Sequence, residues 1–126
     1  MSVKAIYNSA HISPRKTAVV AALVRGRTVA DALTILEHTP RRSALAVKKT
    51  VRSAQANAEH NHGYKPDTLY ISEISVTSGP RFKRFRAAAR GRALRYQHKT
   101  SNIRVVVDGD KRQIKKVAAK TEEGNK

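Results

Sequence analysis

The sequence contains no cysteine, and only 9 of its 126 residues are acidic. Without cysteine the chain forms neither disulfide bridges nor thiolate zinc sites. It also has no apolar run of membrane-spanning length and no hydrophobic amino-terminal segment of the kind found in signal peptides. We therefore expect a soluble intracellular protein with one domain and a modest core.

The chain instead has a large excess of positive charge. Its 26 Lys and Arg residues give a formal net charge of +17. Repulsion among so many like charges opposes compaction, which favours a polyanionic partner. Nucleic acid is the first candidate, and an anionic membrane surface is the second.

The first part of the chain predicts a short strand and two helices. Residues 1–8 alternate roughly between apolar and polar, as a strand does. Ser13 and Pro14 form a helix start, with a capping side chain before a proline, and Gly26 is placed to end that helix. Thr28 caps the second helix. The side chains predicted to face the core are Ala18, Val19, Ala22 and Leu23, then Val29, Ala32, Leu33 and Leu36.

A third and longer helix is predicted to start at Thr39 and Pro40, which repeat the cap-and-proline pattern, and to end near residues 61–63. Its apolar positions are spaced 3, 4, 3, 4, and they are mostly small, so we expect close packing. They are Ala44, Val47, Val51, Ala54 and Ala58. Beside this stripe is a basic flank formed by Arg41, Arg42, Lys48, Lys49 and Arg52.

After Gly63 the pattern changes to that of strands. Residues 69–77 predict one strand, with Tyr70, Ser72, Ile74 and Val76 on one side, and residues 102–107 predict another. The residues between them form either a disordered loop or a long β-ribbon with a reach on the order of 60 Å. An isolated two-stranded ribbon is marginal in water, so its binding partner would have to hold it.

The predicted fold class is therefore α+β. We expect residues 1–110 to form one domain with an arm at about 78–100, and residues 111–126 to form a basic, flexible tail.

The clearest functional signal is a span without acidic residues between Glu73 and Asp108. Arg guanidinium groups match phosphate oxygens, and aromatic rings stack on unpaired bases. The candidate RNA-binding cations in this span are Arg81, Lys83, Arg84, Arg86, Arg90, Arg92, Arg95 and Lys99. The candidate stacking residues are Phe82, Phe85 and Tyr96. Between the two basic runs, Ala87, Ala88 and Ala89 either let the backbone approach a partner closely or are simply tolerated there.

Catalytic and metal-binding patterns are weak. His60 and His62 lie near a predicted helix end, where they suit the helix dipole better than metal ligation. No phosphate-binding glycine loop and no Ser-His-Asp spacing is present. We expect no catalytic residue, no metal and no cofactor.

Four stretches resemble a known family: ISPRKTAVVAALVRG (12–26), NAEHNHG (57–63), GPRFKRFR with RGRA (79–86 and 90–93), and KTSNIRVVV (99–107). Together they are similar, over about residues 3–107, to the uL22 family of bacterial large-subunit ribosomal proteins. The resemblance implies three helices on a small three-stranded antiparallel sheet with a long protruding β-hairpin.

The resemblance also implies a function and partners. The body would lie on the outside of the large subunit near the peptide exit, in the cytoplasmic ribosome. The hairpin would thread through large-subunit (23S) rRNA, aid early assembly, and place the tip residues Ala87–Ala89 at the exit tunnel near the nascent peptide. Neighbouring ribosomal proteins are implied partners, whereas a membrane and a homo-oligomer are not. In the first helix the implied rRNA contacts are Arg15, Lys16 and Arg25.

This chain departs from the family pattern at Ala87 and Ala88, where members often carry proline and a basic residue. We therefore expect a tip with less charge and less rigidity. The residues by themselves leave one alternative function, a DNA-architectural protein with a basic β-arm that uses Phe82 or Phe85 as a wedge. A membrane-active protein is disfavoured because the basic span lacks a bulky amphipathic helix.

Overall fold

The computed structural model describes residues 2–112, and their arrangement confirms the α+β class. The elements in chain order are β1 (Val3–Ala10), α1 (Pro14–Val24), α2 (Val29–His38), α3 (Arg42–His62), β2 (Tyr70–Ala87) and β3 (Ala93–Asp108). Short 3-10 turns at Pro66–Thr68 and Ala89–Gly91 connect the later elements.

The three strands form one antiparallel sheet in the order β1-β3-β2. Its centre is β3, whose Ile103, Val105 and Val107 are fully buried while Arg104 between them is exposed. The helices cover the face to which those apolar residues point, and the core lies between the helices and the sheet. Burying each such side chain contributes about 1.5–3 kcal/mol relative to leaving it in water.

Helix α1 begins as predicted, but it buries a different face. The Ser13 hydroxyl accepts a hydrogen bond from the Lys16 amide. The buried residues are Thr17, Val20, Ala21 and Val24, whereas Ala18, Val19, Ala22 and Leu23 are exposed. Most of this helix is apolar around its circumference, so periodicity could not select a face. Thr17 is buried because its hydroxyl donates to the Ser13 carbonyl and lies 3.4 Å from the Ser101 hydroxyl.

Helix α3 confirms the predicted stripe but not the predicted start. All five apolar positions of the stripe are buried. The helix ends at Gly63, whose φ of 66° is left-handed. It begins only at Arg42, because Thr39 ends α2 instead, donating its hydroxyl to the Ile35 carbonyl at 2.7 Å. The cap assigned to Thr39 was therefore wrong.

A β-bulge in β2 overturns the predicted alternation. The register shifts between Ile71 and Glu73, so Ile71 and Ile74 are both buried while Tyr70 is exposed. The extra residue, Ser72, donates its hydroxyl to the Val106 carbonyl at 3.1 Å. A bulge of this kind inserts one residue and moves the following side chains to the other face.

Of the two alternatives for the segment between the last two strands, the structure contains the β-ribbon and not a disordered loop. From Arg81 opposite Lys99 to Ala87 opposite Ala93, the strands stay paired. We call residues 79–100 the ribbon and the other described residues the body. Seven residues at about 3.4 Å each give this paired arm a reach of about 24 Å. The reach on the order of 60 Å expected from the sequence corresponds to the whole length of β2. The first half of that strand, however, belongs to the sheet of the body.

The start of the predicted tail is attached to the body. The Arg112 amide donates to the Gly63 carbonyl at 2.7 Å, and Lys111 forms a β-bridge with Tyr64. The remainder of the tail, residues 113–126, lies outside the described residues.

The ribbon joins the body at a second register shift, between Ser78 and Arg81. A Cβ atom on Gly79 would lie 2.5 Å from the Thr100 hydroxyl oxygen and 3.3 Å from the Thr100 carbonyl carbon. Thr100 is fully buried and donates its hydroxyl to the Pro80 carbonyl, so it has little freedom to move. Gly79 is therefore required here by close approach.

We predict that Gly79→Ala lowers the free energy of unfolding by about 1–3 kcal/mol, because the added methyl group overpacks a buried joint. Urea denaturation followed by circular dichroism would measure the change. The control is Ser78→Ala at the neighbouring exposed position, which should stay within about 0.5 kcal/mol of the parent. The double variant Gly79→Ala with Thr100→Ala tests the cause. If its loss of unfolding free energy equals the sum of the two single losses, the close approach of Gly79 to Thr100 is not the cause.

Candidate nucleic-acid interface

The register of the ribbon divides its side chains between two faces. Residues directly opposite each other on paired strands share a face, and neighbours along a strand alternate. One face, which we call the aromatic face, carries the pairs Phe82–His98, Arg84–Tyr96 and Arg86–Leu94. The other, which we call the basic face, carries Arg81–Lys99, Lys83–Gln97, Phe85–Arg95 and Ala87–Ala93. The three predicted stacking residues are thus separated, with Phe85 apart from the other two.

The aromatic face forms a row of rings that starts on the body. His11, which follows β1, lies 6.3 Å from Phe82 between ring centroids, with the planes tilted by 35°. Farther along the ribbon, Tyr96 and His98 meet edge to face at 5.3 Å. Phe82 and Tyr96 remain 39% and 42% exposed. Nothing in the sequence pattern pointed to His11, because its contact with the ribbon is made only in the folded chain.

The basic face presents four cations to solvent. Arg81, Lys83, Arg95 and Lys99 are all exposed. The Arg95 guanidinium lies 5.7 Å from the centre of the Phe85 ring, a cation–π contact. Within residues 2–112, no carboxylate lies within ion-pair distance of a ribbon cation, since both ion pairs found there involve Glu37. The positive field of the ribbon is therefore not neutralised by the described part of the chain.

The ribbon ends in a tight turn with two consecutive left-handed residues, Arg90 at φ 60° and Gly91 at φ 70°. The Ala88 amide donates to the Arg92 carbonyl and closes the turn. Ala87 and Ala89 are exposed and Ala88 is partly buried. Small side chains thus occupy the inbound side of the tip, while Arg90 and Arg92 lie at its apex and on its outbound side.

A second group of cations lies on the body, at the start of α1 and α3. Lys16 lines a hollow of about 440 Å³ together with His11, Arg41 and Arg42. Arg15 is exposed in the same first turn of α1. Arg41 and Arg42 were noted as part of a basic flank but not as site residues. They line the same hollow as Lys16 only because the fold brings the starts of α1 and α3 together.

Other cations are occupied within the body. The Arg25 guanidinium donates to the Ile74 carbonyl at 3.1 Å and so holds the edge of β2. Lys48 donates to Glu37 at 2.8 Å, with Arg52 3.6 Å from the same oxygen. The hydrogen bond from Lys48, and then its charge, lower the pKa of Glu37. These cations are less available to a partner than those of the ribbon.

Residues 2–112 contain neither a metal-binding cluster nor a membrane-spanning helix. No group of three or more His, Asp or Glu side chains there is arranged to hold a metal ion. None of the helices described is both long and apolar enough to cross a membrane.

A family model and two curated relatives all match this chain over most of its length. The family model described as Ribosomal protein L22p/L17e matches residues 5–108. The large ribosomal subunit protein uL22 of Oceanobacillus iheyensis is 48% identical over 107 residues, which cover 85% of this chain and 95% of that protein. The uL22 of Thermomicrobium roseum is 43% identical over 108 residues, covering 86% and 92%.

We predict that Gly91→Val opens the turn of the ribbon without melting the body. A β-branched residue is strongly disfavoured at positive φ, by about 1–2 kcal/mol or more. Hydrogen exchange of the Ala88 amide should accelerate, while the melting temperature stays near that of the parent, because the turn residues bond to one another. The control is Gly91→Asn, since asparagine tolerates this region. Unchanged protection of Ala88 in Gly91→Val would contradict the prediction.

Proposed function

The chain belongs to the Ribosomal protein L22p/L17e family, and from this membership we propose that its ribbon binds large-subunit (23S) rRNA. As a member of this family the protein is a structural component of the large ribosomal subunit, not an enzyme, and it is located in the cytoplasmic ribosome. Its partners are accordingly rRNA and other ribosomal proteins. The proposal concerns which part of the chain makes the RNA contact and how.

The observation that carries the proposal is an acid-free ribbon with cations on both faces. The ribbon contains eight Lys and Arg residues and no Asp or Glu. Arg84 and Arg86 lie on one face, while Arg81, Lys83, Arg95 and Lys99 lie on the other. A protein that binds a single flat surface needs charge on one side only. Charge on both sides fits an arm inserted between RNA segments.

The mechanism we propose is electrostatic and geometric. Each cation that neutralises a phosphate releases condensed counterions, and this release favours binding. Structured RNA is recognised mainly by shape and backbone contacts, which a stiff two-stranded arm can match. In this scheme RNA also stabilises the ribbon, because a two-stranded arm without a partner is marginal in water.

We further propose that the tip faces the nascent peptide at the wall of the exit tunnel, and that the ribbon aids early subunit assembly by joining separate rRNA segments. Ala87 and Ala89 present small, uncharged side chains there. These side chains support a tip that lies away from RNA phosphates and borders the tunnel.

The hollow on the body, lined by Lys16, Arg41 and Arg42, is a second candidate RNA contact near the base of the ribbon.

A DNA-architectural role remains the alternative, because exposed Phe85 has the size of an intercalating wedge. The position of this ring disfavours the role, since Phe85 lies along the ribbon under Arg95 and not at its tip. Comparing binding to rRNA fragments and to duplex DNA at about 0.2 M salt separates the two functions. Equal affinity for both would favour the alternative.

We predict that replacing Arg84, Arg86, Arg90 and Arg92 with Ala weakens binding to rRNA fragments. If each residue contacts one phosphate, the slope of log K against log salt should become less steep by roughly 3 to 4. Body stability should stay near that of the parent, because all four side chains are exposed. Filter binding over a salt titration measures the slope, and thermal unfolding measures stability.

A matched control removes the same charge from the body: Arg27, Lys48, Arg52 and Lys65 are replaced with Ala. This variant should keep most of the slope, because Lys48 and Arg52 are already paired with Glu37. An unchanged slope in the ribbon variant, or an equal change in both variants, would refute binding through the ribbon.

For the tip, we predict that a photo-crosslinker placed at position 87 or 89 captures a stalled nascent peptide on ribosomes that carry this protein. The same reagent at position 52, on the body, should not capture it. The protein should also co-sediment with large subunits in high salt. Crosslinks from the tip to rRNA alone, with none to the peptide, would contradict the tunnel placement while leaving rRNA binding intact.

A further inference from the structure

The two faces of the ribbon differ in chemistry, and this difference has a consequence for RNA recognition. The basic face has four cations and one ring, and that ring lies under a guanidinium. Beside Arg84 and Arg86, the aromatic face has Phe82, Tyr96 and His98, with His11 of the body extending the row. Alternation along the strands keeps these two sets apart over the whole arm.

We propose that the rings of the aromatic face stack on unpaired bases of the RNA, while the basic face neutralises phosphates together with Arg84 and Arg86 beside those rings. This assignment rests on the proposed function and deepens it, because it states which chemical part of the RNA each group of side chains takes. Phe82 and Tyr96 are the base-stacking residues. Phe85, by contrast, belongs to the phosphate-binding face.

The geometry of the rings supports this assignment. Phe82 has His11 beside it at a tilt of 35°, and Tyr96 meets His98 edge to face, while 39% of Phe82 and 42% of Tyr96 stay exposed. A ring buttressed in this way presents a pre-positioned surface at little cost in side-chain entropy. Base–aromatic stacking is tolerant of sequence, since every base has a π-face.

The position of Phe85 supports the other half of the assignment. This ring is the most exposed aromatic of the ribbon, at 66%. The Arg95 guanidinium lies 5.7 Å from its centroid, and Lys83 is the neighbouring residue of β2 on the same face. The ring therefore packs beside cations, where it can orient Arg95 toward a phosphate.

A purely structural role for the rings is the competing explanation, because cross-strand aromatic pairs also stabilise hairpins. The two roles differ in what they require of the ligand. Rings that only hold the shape of the arm contribute equally to binding any polyanion. Rings that stack on bases contribute only when bases are present.

The test therefore uses two single-stranded oligonucleotides of about twelve nucleotides, within the usual site size for such strands. One is a pyrimidine RNA, and the other has the same phosphates but a stable abasic spacer at every position. Binding of the full chain to each is measured by fluorescence anisotropy over a salt titration. The ratio of the two affinities reports the contribution of the bases.

For the variant Phe82→Leu with Tyr96→Leu, we expect affinity for the pyrimidine RNA to fall by on the order of tenfold or more. Affinity for the abasic strand and the salt slope should change little, so the ratio approaches one. Tyr96→Phe should retain the ratio, because it keeps the ring.

For the variant Lys83→Gln with Arg95→Gln, we expect equal losses on both strands and a salt slope less steep by roughly 1 to 2. The control is Phe85→Leu, which removes a ring from the opposite face and should leave the affinity ratio near that of the parent. Hydrogen exchange of the Arg84 and Tyr96 amides verifies that the ribbon still forms in each variant.

The outcomes separate the two proposals. Equal losses on both strands in the Phe82 and Tyr96 variant, or a ratio that changes only in Phe85→Leu, would overturn the assignment of the faces while leaving rRNA binding standing. If the Lys83 and Arg95 variant binds both strands like the parent, the assignment of phosphates to the basic face is overturned. If the parent chain binds neither strand nor an rRNA fragment, the proposed function itself fails.

Discussion

The structure depends on β3, a strand that belongs to both the body and the ribbon. Its second half is buried between two partners, with Ile103, Val105 and Val107 inside the core. Its first half continues outward and, within residues 2–112, pairs with β2 alone. Because the side-chain period of a strand is two, a slip of one residue in the body would expose those apolar residues. The core therefore fixes the register, and the fixed register decides which face of the ribbon each cation and each ring occupies.

Contacts where the two halves of β3 meet fix the base of the ribbon to the body. Gly79 packs on Thr100, and the neighbouring Asn102 accepts a hydrogen bond from the Ser9 amide at 3.0 Å. Ser9 is itself left-handed, with φ 58°, and it lies in the register shift between Tyr7 and Ala10 of β1. These contacts hold the end of β1 and the base of the ribbon together. The ring contact between His11 and Phe82 then occurs directly beyond this joint.

Sequence patterns predicted the element order, the α3 stripe and the position of the basic arm, because these follow from local periodicity and composition. Sequence patterns did not predict the features that depend on contacts between distant parts of the chain. The α1 sequence AVVAALV offers two apolar faces, and the one that is buried carries Thr17, whose hydroxyl meets that of Ser101, a residue distant in sequence. The bulge at Ser72 depends on the Val106 carbonyl, which is distant in sequence. The cations of the arm were found from composition alone, but their division between faces required the register.

The positive charge of the ribbon couples its two faces, because the cations of both faces repel one another. Eight cations on a narrow arm repel one another, and the described residues supply no ion pair to offset that repulsion. A partner that covered only one face would leave the other face unneutralised and its rings in water. A polyanion on both sides would remove the repulsion and would also cover Phe82, Tyr96 and Phe85. The same arrangement that destabilises the free ribbon would favour the proposed insertion between segments of RNA, with the uncharged Ala88 and Ala89 lying beyond the last paired residue, Ala87.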